Sequence, residues 1–275
     1  MSQPAAPCTP GDKMHVPTFI APFAAAFLLL SLTAATGPAQ AQPAGRDLAQ
    51  SVYDRYVGDD MTCHQVMELV PAGGQARVRE LTITAADRNG LRRSLLRFTS
   101  PADIEGTGFL ALEDGQGGTE QFLYLPALKR SRRIVAGQKG RSFVNTDFTF
   151  EDMERRPVDD SDHTVAGEEA MGGVECWILE SKPKPEAESQ YSTVRAWVAK
   201  DMLVVLRADF FKKGPEPVKR YTVLQMENVQ EIWTETKATM EDLETGHKTV
   251  LTTSGVKYNT GVEESAFSVK ALETW

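Results

Sequence analysis

From residue 77 to residue 258 the chain is cut into short runs of alternating apolar and polar residues, separated by brief polar turns. A period of two over so many runs leaves room for little but a β-sheet. In 77–84, Val78 is followed after a slip by Leu81 and Ile83, and 91–98 follows across Asp87-Arg88-Asn89-Gly90. Asn-Gly tolerates positive φ at both central positions, so Asn89-Gly90 predicts a hairpin turn of the primed type. The same pattern predicts strands over 108–112, 121–125, 132–135, 164–169, 174–180, 192–199, 203–211, 218–227, 232–241 and 248–258. Regular strands joined by short polar turns favour an antiparallel meander over parallel βαβ units. Residues 46–56 carry Leu48, Val52, Tyr53 and Tyr56 at helical spacing before Gly58, and shorter helices are predicted at 149–155 and 262–267. Lys182-Pro183-Lys184-Pro185 reads as a loop, because strands of one character flank it. The fold class predicted is mainly β (α+β), one strongly curved antiparallel sheet with a few helices against it, over 42–275 as a single domain.

Residues 1–41 are set aside as a cleaved secretory signal. Lys13 and His15 precede an apolar run over 19–32, and Ala39-Gln40-Ala41 supplies the small-x-small pattern that a signal peptidase reads. The run is shorter than a membrane span. An exported, soluble chain is therefore expected. Cys8 lies ahead of the apolar run, which leaves Cys63 and Cys176 in an oxidising compartment. A disulfide between them would close a loop of over a hundred residues, worth ~4–5 kcal/mol in the chain-entropy model. Two buried thiols in strands are the other reading.

The formal net charge of −8 argues against nucleic acid as a general partner. Little else points to reaction chemistry. His64, His163 and His247 are scattered, and Cys63-His64 would point to opposite faces of a strand. Asp159-Asp160-Ser161-Asp162-His163 lacks the spacing and glycine of a calcium loop and reads as a solvated turn. No Gly-x-Ser-x-Gly elbow or phosphate-cradling loop occurs, and Gly115-Gln116-Gly117-Gly118 reads as a flexible turn. Carboxylates are plentiful, but none is singled out as a catalyst. No enzyme, metal site or cofactor is predicted.

Two features remain. Lys129, Arg130, Arg132, Arg133, Lys139 and Arg141 form a basic cluster in an acidic chain. It is either a solvated strand end balanced by the acids of 147–162, or an edge that docks anionic head groups or an acidic partner. Beside it stand Phe98, Phe109, Leu110, Phe122, Tyr124, Leu125, Leu128, Phe143, Phe148, Phe150 and Met153. These are ordinary core, or they line the apolar cavity that curved sheets and half-barrels often keep for one ligand.

At these residues the chain resembles the LolA-like periplasmic proteins, often labelled outer-membrane lipoprotein-sorting proteins. The resemblance rests on Phe98-Thr99-Ser100-Pro101, Gly106-Thr107-Gly108-Phe109-Leu110, Tyr124-Leu125-Pro126-Ala127-Leu128-Lys129-Arg130 with Arg132-Arg133-Ile134, Ser142-Phe143, Asp147-Phe148 and Glu151-Asp152-Met153. It is closer to the branch associated with RND or MMPL-type exporters. The resemblance implies an unclosed antiparallel β-barrel whose hydrophobic concave side is covered by helices. It also implies a periplasmic carrier of a lipid or lipidated ligand between an inner-membrane exporter and the outer membrane; a monomer is expected, since nothing in the sequence argues for an obligate assembly. Phe98, Phe109, Leu110, Phe122, Tyr124, Leu125, Phe143, Phe148, Phe150 and Met153 would line its groove. A non-carrying adaptor of such an exporter, docking through residues 129–141, is the alternative.

Overall fold

In the computed structural model, which describes residues 13–15 and 42–274, two antiparallel meanders join edge to edge into one sheet. The first comprises β2 (Asp60–Val70), β3 (Arg77–Arg88), β4 (Leu91–Ser100), β5 (Gly108–Glu113), β6 (Thr119–Leu125) and β7 (Arg130–Ile134). The second comprises β8 (Ser161–Met171), β9 (Val174–Pro183), β10 (Thr193–Ala199), β11 (Val205–Phe211), β12 (Pro217–Val229), β13 (Ile232–Asp242) and β14 (Lys248–Tyr258). β2 pairs with β14, so the order is β7-β6-β5-β4-β3-β2-β14-β13-β12-β11-β10-β9-β8. β7 and β8 are the two edges and do not pair, which leaves the curved sheet unclosed. The predicted signal segment lies outside the described residues apart from β1 (Lys13–His15), which pairs with Gln225, Met226 and Glu227 of β12.

Every predicted strand segment overlaps a strand. Asn89 and Gly90 have φ of 57° and 77°, so the predicted primed turn is formed and sets Arg88 opposite Leu91. β2 was not announced by alternation. By pairing with β3, its Met61, Cys63, Gln65, Met67 and Leu69 share one face, and the polar Gln65 at its centre, together with Val66 on the other face, hides the period. The predicted helix at 46–56 is α1 (Gly45–Tyr53). Residues 149–155 supply only a 3-10 turn at Glu151–Met153, and a second turn at Glu264–Ala266 precedes α2 (Val269–Glu273).

Successive residues of a strand point to opposite faces, and this parity divides the core. On the inner face Leu96 opposes Phe109, and Phe109 opposes Leu123. On the outer face Leu95 opposes Leu110, and Leu110 opposes Phe122. The outer set packs with Phe267 and Leu272 under α2. Gly108 permits this approach, since a Cβ there would lie 2.6 Å from Leu272 Cδ1. α1 packs against β8 and β9 through Leu48 and Ala49, which meet Trp177, Leu179 and Val198.

The inner face is plugged by the segment that carries the chain from edge β7 to edge β8. Its Phe143, Phe148 and Phe150 join Phe98, Phe109, Leu81 and Met240 in the largest cluster. Phe109 and Phe143 meet edge-on at 5.0 Å, as do Phe143 and Phe150 at 5.7 Å. Burial of each ring contributes ~1.5–3 kcal/mol. Polar contacts pin the segment at several points. Arg79 donates to the Val144 carbonyl, Gln121 Nε2 donates to Phe150 O at 2.8 Å, and Asp147 bonds Thr249 and His247. Lys219 Nζ lies 2.5 Å from Asp152 Oδ2. Cys63 and Cys176 are both free and buried, so the disulfide that the sequence allows is not formed.

Candidate functional site

The inner face changes character along its own strands. On β4 the same-face series runs Phe98, Leu96, Ser94, Arg92, and on β5 it runs Phe109, Ala111, Glu113. Where the phenylalanine plug ends, the sheet lines an open cavity of about 520 Å³ with Arg55, Val57, Gly58 and Met153. A second cavity of about 330 Å³ continues under α1, between Val52, Val158, Leu179 and Val205. Arg55, Arg92, Arg155 and Glu235 line both. This hollow half of the inner face is the candidate site.

Its side chains are held unequally. Arg155 donates from Nε to Glu113 Oε1 at 2.8 Å and from Nη2 to Oε2 at 2.5 Å. It also donates to the carbonyls of Tyr53 and Gly90, and its guanidinium stacks 3.9 Å from the Tyr53 ring centroid. Such a two-pronged pair fixes both partners. Arg92 is looser: Nη2 reaches Arg55 O at 3.5 Å, Nε lies 3.8 Å from Asp87 Oδ2, and Nε is shielded from solvent without a hydrogen bond. Burial, and then the nearby Arg155 charge, hold its pKa below the ordinary arginine value. Arg55 donates to Trp233 O at 3.3 Å. Glu235 accepts from the Tyr221 hydroxyl. Burial pushes its pKa up, against the opposing effects of Tyr221 and Arg55.

The residues nominated from sequence separate into three places. Phe98, Phe109, Phe143, Phe148 and Phe150 are buried in the plugged half, where their rings fill the space against one another. Leu110, Phe122 and Tyr124 belong to the outer face under α2. Met153 lines the larger cavity, while Leu125 and Phe150 line a shallow recess of about 380 Å³ together with Arg132 and Arg141. Lys129, Arg130, Arg132, Arg133 and Arg141 are exposed along edge strand β7 and beyond it, whereas Lys139 is half-buried. Arg133 pairs with Glu120 at 2.7 Å and Lys139 with Glu154 at 2.9 Å. Leu128 and Val135, both more than half exposed, flank this strand. Among the described residues, no group of three or more His, Cys, Asp and Glu side chains is arranged to hold a metal, and no helix is long and apolar enough to cross a membrane.

A family described simply as "Uncharacterized protein"-like matches residues 90–274. A DUF1329 family protein from Desulfovibrio piger is 33% identical, with a TM-score of 0.78 over 83% of this chain and 97% of that one. The chain belongs to the DUF1329 family. A protein domain from Vibrio parahaemolyticus described as outer membrane lipoprotein-sorting is 27% identical, with a TM-score of 0.78 over 83% of this chain and 98% of that one. A LolA superfamily protein from Nitrosomonas europaea, 16% identical, shares the fold at a TM-score of 0.64 over 82% of this chain and 98% of that one. No curated protein matches. The predicted curved, unclosed, mainly β architecture is thus the LolA-like fold.

Proposed function

We propose that this DUF1329 protein is a periplasmic carrier that takes up a lipid or lipidated ligand and moves it between an inner-membrane exporter and the outer membrane. The hollow half of the inner face carries this reading. It offers an apolar recess under α1 that opens past charged walls, the combination that holds an amphiphile without chemistry. The relative described as lipoprotein-sorting supports the same reading. The groove lies beyond the phenylalanine plug, so of the ten residues nominated from sequence, Met153 is the one proposed to face the ligand there. Residues 42–275 are taken as the mature single domain, exported by the signal segment and working as a monomer. Burying a sixteen-carbon chain at ~0.8 kcal/mol per methylene yields a gross ~12 kcal/mol before ordering costs, ample for carriage.

Native mass spectrometry of the protein purified from periplasm without detergent, followed by organic extraction, tests the proposal. A reproducible extra mass that extracts as a lipid supports the carrier. An empty protein that also refuses acyl and sterol probes refutes it.

A second reading is favoured by the β7 edge. Among the described residues, Lys129, Arg130, Arg132 and Arg141 have no ion-pair partner, and exposed Leu128 and Val135 stand at the strand ends. An adaptor would dock this edge on an acidic surface of an RND or MMPL-type exporter. Positive charge on an edge strand also protects it from pairing with other chains. Arg132→Glu with Arg133→Glu should abolish exporter binding if the edge docks, and unchanged binding removes the docking role.

A further inference from the structure

Resting on the carrier reading, we infer that the ligand is a single-chain amphiphile with an anionic head, the head held by Arg55 and Arg92 and the chain running under α1. The four arginines of the smaller cavity are not equivalent. Arg155 is committed to Glu113 and two carbonyls, and Arg156 lies 3.6 Å from both Glu151 and Asp152. Arg55 and Arg92 stand at the junction of the two cavities with few contacts. A guanidinium has five N–H donors, so these two keep most of their donors for a ligand. Two adjacent forks suit the planar, two-oxygen face of a carboxylate or phosphate.

Most of the surrounding acids are already engaged by other groups. Glu113 is paired with Arg155, and Asp152 with Lys219 and the Tyr191 hydroxyl. Glu154 is paired with Lys139, and Asp60 accepts from the backbone of Thr260, Gly261 and Val262. Two carboxylates stand beside Arg92: Asp87, 3.8 Å from its Nε, and Glu113, which accepts from its backbone N–H at 2.8 Å and is shared with Arg155. Glu235, the carboxylate shared by both cavities, accepts from the Tyr221 hydroxyl, and burial holds its pKa above the ordinary glutamate value. In the lining of the smaller cavity, four arginines therefore stand with one carboxylate, Glu235.

Away from the arginines the walls of this cavity of about 330 Å³ are mainly apolar, with Ala49, Val52, Val158, Leu179, Val194 and Val205 beside Ser161, His163 and Ser181. That is near the lower end of the ~300–1,000 Å³ occupied by drug-sized ligands, which suits one acyl chain. The order of the walls, cation then hydrocarbon, matches the order of groups along such a molecule.

The test is fluorescence titration of the lipid-stripped protein with a dansyl-labelled undecanoic acid and with its uncharged methyl ester. The acid should bind at least tenfold more tightly than the ester. Arg55→Gln and Arg92→Gln should each remove most of that preference while leaving the melting temperature near wild type. Arg92→Lys serves where Gln fails to fold, since it keeps the charge but loses the fork, and an intermediate preference is expected. Equal binding of acid and ester, or a preference that survives both substitutions, overturns the head-group assignment and leaves the carrier standing. Binding of neither probe overturns both.

Discussion

Asp209 illustrates how single residues hold the sheet. It is 4% exposed on β11 and is gripped from two sides. Arg207 reaches its oxygens at 3.0 and 2.5 Å, and Arg220, its cross-strand partner on β12, does so at 2.7 and 3.0 Å. Burial raises the carboxyl pKa, but the hydrogen bonds from Arg220 and Arg207 outweigh it and hold the value below the usual range. A depressed folded pKa means that the stabilisation is fully present above the unfolded value of ~3.9 and is lost as pH falls through the folded value. Asp209→Asn should therefore lower the melting temperature by an amount that is constant above about pH 5 and shrinks below about pH 4. A gap between variant and wild type that stays unchanged down to pH 2 would contradict the clamp. The buried thiols make a second prediction. Burial pushes both Cys63 and Cys176 up to about 11. Neither should react with a disulfide reagent at pH 8 until denaturant is added, when two thiols should titrate. Fewer than two would mean that a bridge had formed after all.

At the scale of elements, α2 shows how far a short helix depends on packing. Five residues cannot hold a helix alone. Ser268 caps it by accepting from Ala271 N, and Leu272 is wholly buried between Gly108 and the outer face of β5 and β6. Leu272→Ala should cost about 3 kcal/mol, read as a drop of several degrees in a thermal melt. No measurable change would show that α2 contributes nothing to the fold. The strands behind this helix were legible because alternation and turn chemistry are local, as the Asn89-Gly90 hairpin shows. Strand parity was there to be read too: it separates Leu110 from Phe109, and Phe122 and Tyr124 from Leu125, residues that the sequence reading grouped on one side. What could not be read is the path of residues 135–160 across the inner face, because only the tertiary fold turns Phe143 and Phe148 inward. The site was equally hidden. Arg55 follows a helix, Arg92 opens a strand, Arg155 ends the plug and Glu235 lies on β13, so no spacing in the chain joins them. The one local trace is the turn from phenylalanine to arginine and glutamate along alternate positions of β4 and β5.

Across the whole molecule the inner face divides its labour between a filled half and a hollow half. The filled half carries stability: Phe143 is fully buried and touches Phe98, Phe109 and Phe150. The hollow half has walls of charge and small apolar residues, and Met153 stands on the boundary, packed against the first and lining the second. The two functions should then respond to different substitutions. Phe143→Ala should cost about 3–5 kcal/mol, a loss on the order of 10 °C in melting temperature for a domain of this size. Because it opens a void inside the plug and leaves the arginine walls untouched, the fraction that remains folded should still take up a fluorescent acyl probe. Met153→Asp places a carboxylate at the cavity wall, where the half-buried side chain can keep it hydrated, so the melting temperature should move by only a few degrees. The same carboxylate opposes an apolar chain beside it and an anionic head farther in, and uptake should fall at least tenfold. Parallel melts and titrations of the two variants separate the roles. If Met153→Asp binds as wild type while Phe143→Ala loses binding with its fold intact, the ligand lies among the phenylalanines and the hollow half is not the groove.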